Sequence, residues 1–500
     1  MPALPARTTP PVDVAVIGAG FGGLGAALHL AEEGASVALV EGLRYPGGCA
    51  STFTRGGARH EAGATLFCGL GPDQPFGRWR ARHGMDVAFH MLDIPVELRA
   101  PGLTLPVFSD KQRFIEQLCA LPDAPERGIR RFFARQQRIA DALWPVLDDA
   151  GRLPPFTGAG LGFHALRAPR YLALLPWLGR PAIRLAEDCG VAEYRPLRLW
   201  MDALSQITVQ ADMATAEAPF ALSTLDYCFR GAGHVEGGIG ALADAMVKAI
   251  ADLGGTVHMP SRVRRLERSP EGWLVHHRGG VIRARNVVAN LIPSALAALL
   301  DPEARPQRLT DAAQAETQSW GAVMLYLQLR PDASLSPAPH HLELVADPSA
   351  PLVAGNHVFC SVSGSEEDRA PGGRRVATMS THLDLSTLRD QPQDARAARV
   401  ADVQARMRDT LTRLAPGVAD AIVHLDPGSP RTFARFTRRT EGRVGGIPRT
   451  VGLHHYASVL PRSIADRLWC VGDAVFPGQS TLATALGGQR TARAILRGAA

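Results

Sequence analysis

The sequence predicts an α/β protein whose parallel sheet is assembled from the two ends of the chain, and three features predict it. Residues 13–17 form a short apolar run that closes on Gly18-Ala19-Gly20-Phe21-Gly22-Gly23, and 24–33 then shows helical apolar spacing. A second run, 36–40, ends in an acid, Glu41. Near the other end of the chain, 468–473 reads as a further strand closing on Gly472-Asp473, with a helix expected over about 481–496.

Each opening piece suits a dinucleotide. Gly18 permits a tight turn after the strand, Gly20 lets the backbone approach a pyrophosphate, and Gly23 allows the helix to pack closely on the strand. Free N–H groups at the helix start favour the anion. Glu41 stands 23 residues after Gly18, where an acid accepts hydrogen bonds from a ribose 2′-OH. An acid here argues against a 2′-phosphate, so the adenosine of NAD or FAD is preferred to that of NADP. Strand, GxGxxG, helix, strand and acid in register define a Rossmann-type opening. The segment Arg44-Tyr45-Pro46-Gly47-Gly48 adds a second glycine pair just beyond the acid, as an extended FAD requires.

These motifs resemble the FAD-dependent oxidoreductases that include phytoene desaturases, carotenoid isomerases, retinol saturases and flavin amine oxidases. Their opening pattern is matched by Gly18, Gly20, Gly23, Ala27, Leu30, Gly34, Glu41, Gly47 and Gly48, and their closing pattern by Gly472, Asp473 and the helix that follows. The resemblance implies FAD as cofactor, with Asp473 at the ribityl or pyrophosphate. It aims the helix start, at Thr481 and Leu482, at the flavin N1–C2=O edge, where a helix N-terminus stabilises negative charge. It also implies that 62–65 passes the flavin at Thr65, and that Gly237-Gly238 leads back into the cofactor domain, although Val235 stands where many members have Pro. One strand over 255–266 would carry Val263 toward the adenine, with 284–290 as its companion. The candidate cofactor-binding residues are therefore Gly18, Gly20, Gly22, Gly23, Glu41, Arg44, Gly47, Gly48, Thr65, Val263, Gly472, Asp473, Thr481 and Leu482. No catalytic residue is assigned.

The expected architecture is α/β: an FAD-binding Rossmann-type (two-dinucleotide-binding) domain with a discontinuous mixed-sheet and helical substrate domain. The first takes 1–95, 232–300 and 455–500; the second takes 96–231 and 301–454, with strands over 323–329 and 375–383 and a helix over 397–414. The closing wording Phe476-Pro477-Gly478-Gln479 is closer to the carotenoid isomerase and retinol saturase branch. The resemblance thus implies a long apolar isoprenoid substrate, in carotenoid desaturation or cis-trans isomerisation. Desaturation needs a quinone or oxygen as electron acceptor; isomerisation needs reduced flavin and no net electrons. The alternatives are a retinol-saturase-like polyene reductase, a flavin amine oxidase and a non-enzymatic isoprenoid carrier. An amine substrate is disfavoured because neither lysine, Lys111 or Lys248, suits a water held at the flavin and 460–469 offers no aromatic pair. Intact cofactor glycines disfavour the carrier.

Composition limits the partners. The chain of 500 residues is 46% hydrophobic and 20% charged, so most of it folds around a core. Its net charge of +6 rests on arginines scattered among acids, with no basic tract for nucleic acid. Seven dispersed cysteines without a CxxC suggest neither disulfides nor zinc, and a reducing cytoplasm fits best. The pairs His276-His277, His340-His341 and His454-His455, read as strand neighbours pointing to opposite faces, cannot readily chelate one ion, so no metal is expected. Glu217 and His455 could border the substrate site, but nothing in their spacing assigns them a role. Within 156–187, Arg167, Arg170, Arg180 and Arg184 flank an apolar stretch containing Leu174, Leu175 and Trp177. This pattern suits either a core helix pair or a shallow anchor on the inner face of the cell membrane, and the polyene reading favours the anchor.

Overall fold

The computed structural model describes residues 11–314, 316, 320–332, 335–457 and 463–498. The first ten residues and part of the 460–469 segment therefore lie outside the described residues. Two sheets organise the fold. The first centres on Val12–Ile17, whose Val14, Ala15, Val16 and Ile17 are all buried, as a parallel strand covered on both faces requires. It pairs in parallel with Val37–Val40 on one side and Gly280–Ala289 on the other. Thr256–His258 extends the first side. On the second side Gly280–Ala289 is shared, because Gly272–His277 pairs antiparallel up to Ala284 and Leu468–Cys470 takes over in parallel at Val287. The crevice beyond Ile17, where neighbouring connections leave in opposite directions, is the ligand-binding switch point of such sheets.

The expected strand over 255–266 is instead two strands at opposite edges of the sheet. Thr256–His258 sits beside Val37–Val40, whereas Val263–Ser269 pairs with Gly272–His277. Pro260, between them, has no N–H to donate to a ladder, and Ser261 N–H turns back to the Glu41 carbonyl.

The helix Phe21–Glu32 covers this sheet, and the closing helix Thr481–Leu496 packs along it at backbone distance. Glycines make that approach possible: a Cβ on Gly25 would come within 2.2 Å of the Ala485 carbonyl oxygen. The second sheet runs Ile422–Gly428, Trp320–Leu329, Arg375–Asp384, His357–Val362, His340–Val345, Val96–Ala100 and Leu103–Val107, with Arg443–Val444 pairing on Trp320–Leu329. Only the Val96–Ala100 and His340–Val345 pairing is parallel among these described strands. The helix Gln393–Leu414 covers one face through Val403, Met407 and Leu411, and a helical layer that includes Glu126–Leu147 and Arg195–Thr208 builds a separate core.

Two further expectations need correction. His454-His455 lies in a short helical turn, His454–Ala457, rather than a strand, with ring centroids 4.0 Å apart. Among the described residues no group of His, Cys, Asp or Glu is arranged to hold a metal ion. In the 156–187 segment, Gly158–Tyr171 is helical, and Trp177 is buried under the Arg135 guanidinium, so Trp177 is not free to insert elsewhere. Among the described residues no helix is long and apolar enough to cross a membrane.

Candidate active site

A single cavity of about 920 Å³ runs along the crevice and on against the second sheet. Its near wall is bare backbone. Gly18 sits at φ +93° with its N–H on the Val40 carbonyl, and Gly47 N–H donates to the Ala19 carbonyl, stitching the two glycine motifs together. A Cβ on Gly22 would stand 2.8 Å from Asn290 Oδ1 and 3.0 Å from the Gly472 nitrogen, so the two distant motifs meet here. Gly20, Gly48 and Gly472 line the same wall. Gly23 does not line it; a Cβ there would strike the Gly18 carbonyl at 2.0 Å, and its role is packing.

Glu41 lines the cavity, and its carboxylate already holds the loop: Oε2 accepts the Ala19 N–H at 2.8 Å and Oε1 the Leu43 N–H at 2.7 Å. Burial raises its pKa above the usual carboxylate value, opposed by those N–H bonds and by the Arg262 charge. Each carboxylate oxygen retains a lone pair that a ribose hydroxyl can use. Asp473 lines the cavity and accepts from Arg439 Nη2 at 2.8 Å. Burial alone would lower the Arg439 pKa, but the Asp473 charge beside it outweighs that and raises it.

Thr65, Val263, Thr481 and Leu482 also line the cavity. The Thr65 hydroxyl is buried with no hydrogen-bond partner among the described residues, as expected of a group that serves a ligand. Thr481 begins the closing helix, capped by the Ser480 hydroxyl accepting the Ala483 N–H at 3.1 Å. Like Gly23, Arg44 does not line the cavity; its side chain is exposed. FAD fits the remaining residues. The glycine walls would admit its pyrophosphate, the two helix starts would offer it N–H groups, and the Thr65 hydroxyl has no partner of its own among the described residues.

Sequence reasoning missed several lining residues. Asn290, which follows the strand Gly280–Ala289, wedges between Gly20, Gly22 and Gly472. Arg262 and Arg439 come from loops. Trp144, Leu204, Phe220 and Tyr227 from the helical layer make the far wall predominantly apolar. Lys111 is committed elsewhere, bonded to Asp226 at 2.6 Å and Gln136 at 2.7 Å, and does not line the cavity. Glu217 and His455 do not line it either; Glu217 accepts from Gly179 N–H, Gly452 N–H and the Tyr456 hydroxyl, a structural assignment.

Fold and site together define an FAD-dependent oxidoreductase. Residues 16–81 match the NAD(P)-binding Rossmann-like domain and 189–426 match the flavin containing amine oxidoreductase model. A prolycopene isomerase of Daucus carota is 24% identical over 95% of this chain and 78% of its own. A hydroxyneurosporene desaturase of Cereibacter sphaeroides is 26% identical over 97% of each chain. The crystal structure of an oxidoreductase from Methanosarcina mazei superposes with a TM-score of 0.62 at 16% identity, covering 96% of this chain and all of that one, and shares its fold. Over nearly its whole length the chain is thus similar to carotenoid isomerases and desaturases, and its two domain matches are those of flavin oxidoreductases.

Proposed function

We propose that this enzyme acts on a long apolar isoprenoid, as a carotenoid desaturase or a carotenoid cis-trans isomerase. The observation that carries the reading is the continuity of one predominantly apolar cavity from the glycine cradle to the second sheet. Relatives named for prolycopene and hydroxyneurosporene, aligned over nearly the whole chain, support it.

In this reading Gly18, Gly20, Gly22, Gly47 and Gly48 admit the pyrophosphate, Glu41 receives the adenosine ribose, and Asp473 with Thr65 holds the ribityl chain. FAD bound there supplies hydride acceptance or return at its reactive ring. The start of Thr481–Leu496 would hold the ring end of that group, where its N–H groups would favour negative charge. Trp144, Leu204, Phe220 and Tyr227 align the polyene and exclude water. The cofactor body comprises the described residues of 1–95, 232–300 and 455–500, and the substrate body the other described residues. For desaturation, oxygen or a quinone takes the electrons. The segment 156–187 rests on the membrane surface that holds the substrate.

Anaerobic incubation of the FAD-loaded enzyme with a panel of cis and more saturated carotenoid precursors, followed by product separation, tests this. A product of unchanged mass and altered geometry formed with reduced flavin marks the isomerase. One that has lost two hydrogens and requires an acceptor marks the desaturase. Failure to convert any of the panel, reduced or oxidised, defeats the reading.

A further inference from the structure

Along the cavity, opposite the apolar side chains of the helical layer, the second sheet contributes polar groups of its own. In its antiparallel register Glu343 stands opposite Phe359, Phe359 opposite Ser380, and Ser380 opposite Met324. Directly opposed residues share a face, and all four of these line the cavity. One step along, His357 and His382 line it too.

Glu343 is 2% exposed and, among the described residues, makes no side-chain hydrogen bond or ion pair. His357 is 3% exposed and its Nε2 is likewise unpartnered among the described residues. Buried polar groups are nearly always satisfied, and leaving two unsatisfied side by side is costly unless a ligand completes them. Glu343 and His357 are diagonal neighbours across the pair of strands, about 7–8 Å apart along the backbone, so both side chains can reach a single atom between them.

We propose that Glu343 and His357 form a subsite for a hydroxyl group on the polyene substrate, making the enzyme selective for an oxygenated carotenoid over the parent hydrocarbon. The carboxyl O–H donates to the substrate oxygen, and the substrate O–H donates to the unprotonated ring nitrogen of His357, so the acid proton and the imidazole each gain a partner. Burial supports these roles, since it pushes the Glu343 pKa up to about 8 and the His357 pKa down to about 3, leaving an acid that can donate and a neutral ring that can accept.

This subsite rests on the carotenoid reading above, and the experiment separates the two. Two polyenes of equal length and conjugation, one ending in a hydroxyl and one in hydrogen, are titrated into the FAD-loaded protein, and dissociation constants are read from the shift in polyene absorbance. The wild type is expected to prefer the hydroxylated polyene by roughly five- to tenfold, the scale of one neutral hydrogen bond. In Glu343→Leu the ratio should fall to near one, whereas Glu343→Gln, which can still donate, should keep part of it. Retained flavin absorbance reports folding, and His357→Phe gives the same readout if Glu343→Leu does not fold. A wild-type ratio near one overturns the subsite while leaving the carotenoid reading intact. A preference that persists in both Glu343→Leu and His357→Phe also overturns it. Binding of neither polyene defeats the carotenoid reading and the subsite with it.

Discussion

Gly488 of the closing helix abuts Gly22 of the opening one: a Cβ on Gly488 would stand 1.9 Å from the Gly22 carbonyl oxygen and 2.8 Å from the Ala26 nitrogen. Because Gly22 itself lines the cavity, the cofactor wall is braced by the other end of the chain. Gly488→Ala must push two backbones apart. We expect a loss of about 2–3 kcal/mol, in the overpacking range. Thermal denaturation and flavin content per protein should fall together; a variant with wild-type melting and full flavin would show that the helices can separate without cost.

Glu41→Ala should weaken FAD binding by on the order of 1.5–3 kcal/mol, the range for hydrogen bonds to a charged group. The carboxylate also anchors the Ala19 and Leu43 N–H groups, so the loss includes a loosened glycine turn. Glu41→Gln, which keeps one acceptor oxygen, should fall between. Flavin-fluorescence titration of the apoprotein reads this, and unchanged affinity in Glu41→Ala would reduce Glu41 to a strand-end acid.

The cofactor wall was legible because its chemistry is written in adjacent residues: Gly18 to Gly23, Glu41 and Gly47-Gly48 act through local backbone conformation. The helix start at Thr481 was legible for the same reason. Asn290, Arg262 and Arg439 were not, since each reaches the cavity only through the tertiary meeting of distant segments. The polar groups of the second sheet escaped notice because Glu343, His357 and Ser380 lie on three strands whose register no single stretch encodes. Val263 was placed by resemblance on a strand that the fold breaks at Pro260, yet it still lines the cavity from the far edge of the sheet. Arg44 stands beside the glycine pair in sequence, but its charged side chain is exposed to solvent.

Arg439→Met should strand Asp473 without its guanidinium. Both side chains are largely buried, at 18% and 13% exposed, and breaking such a pair costs about 3 kcal/mol when one charge is left behind. Flavin retention should drop as well, because Asp473 would then be free to turn from the ribityl path. The double variant Arg439→Met/Asp473→Asn should regain part of the stability in chemical denaturation; no regain would mean that the pair is not coupled.

Stability should also depend on pH through Glu343. Folded, this carboxyl keeps its proton up to about pH 8, whereas unfolded it ionises near its ordinary 4.5. Its share of stability is therefore full below 4.5 and is lost as pH rises through about 8. Glu343→Gln has nothing to ionise. Its melting temperature should gain on the wild type between about pH 5 and about pH 9, and parallel curves would place the carboxyl in contact with water.

The membrane contact proposed for 156–187 would follow a different division of labour from the one its sequence suggests. Trp177 is buried and Leu174 packs against the helical core, so neither is available to lipid. The leucines that are available are Leu161, Leu166, Leu172 and Leu175, which are 56%, 87%, 63% and 59% exposed. Of the arginines, Arg184 pairs with Glu187 at 2.9 Å, and Arg167 lies over the Phe163 ring and bonds the Asp141 carbonyl. Arg170 and Arg180, both exposed, remain for lipid phosphate. Each should contribute about 1 kcal/mol at an anionic surface, a share that salt screens. Arg170→Gln/Arg180→Gln should thus lose binding to anionic liposomes at low salt. Leu166→Gln/Leu172→Gln/Leu175→Gln should lose the part that survives high salt, since burying each leucine contributes on the order of 1.5–3 kcal/mol. Both variants should keep their flavin, because none of these residues lines the cofactor cavity. Co-sedimentation that is equal for wild type and both variants would make this surface an ordinary solvated face, and the polyene would then have to reach the cavity by another route.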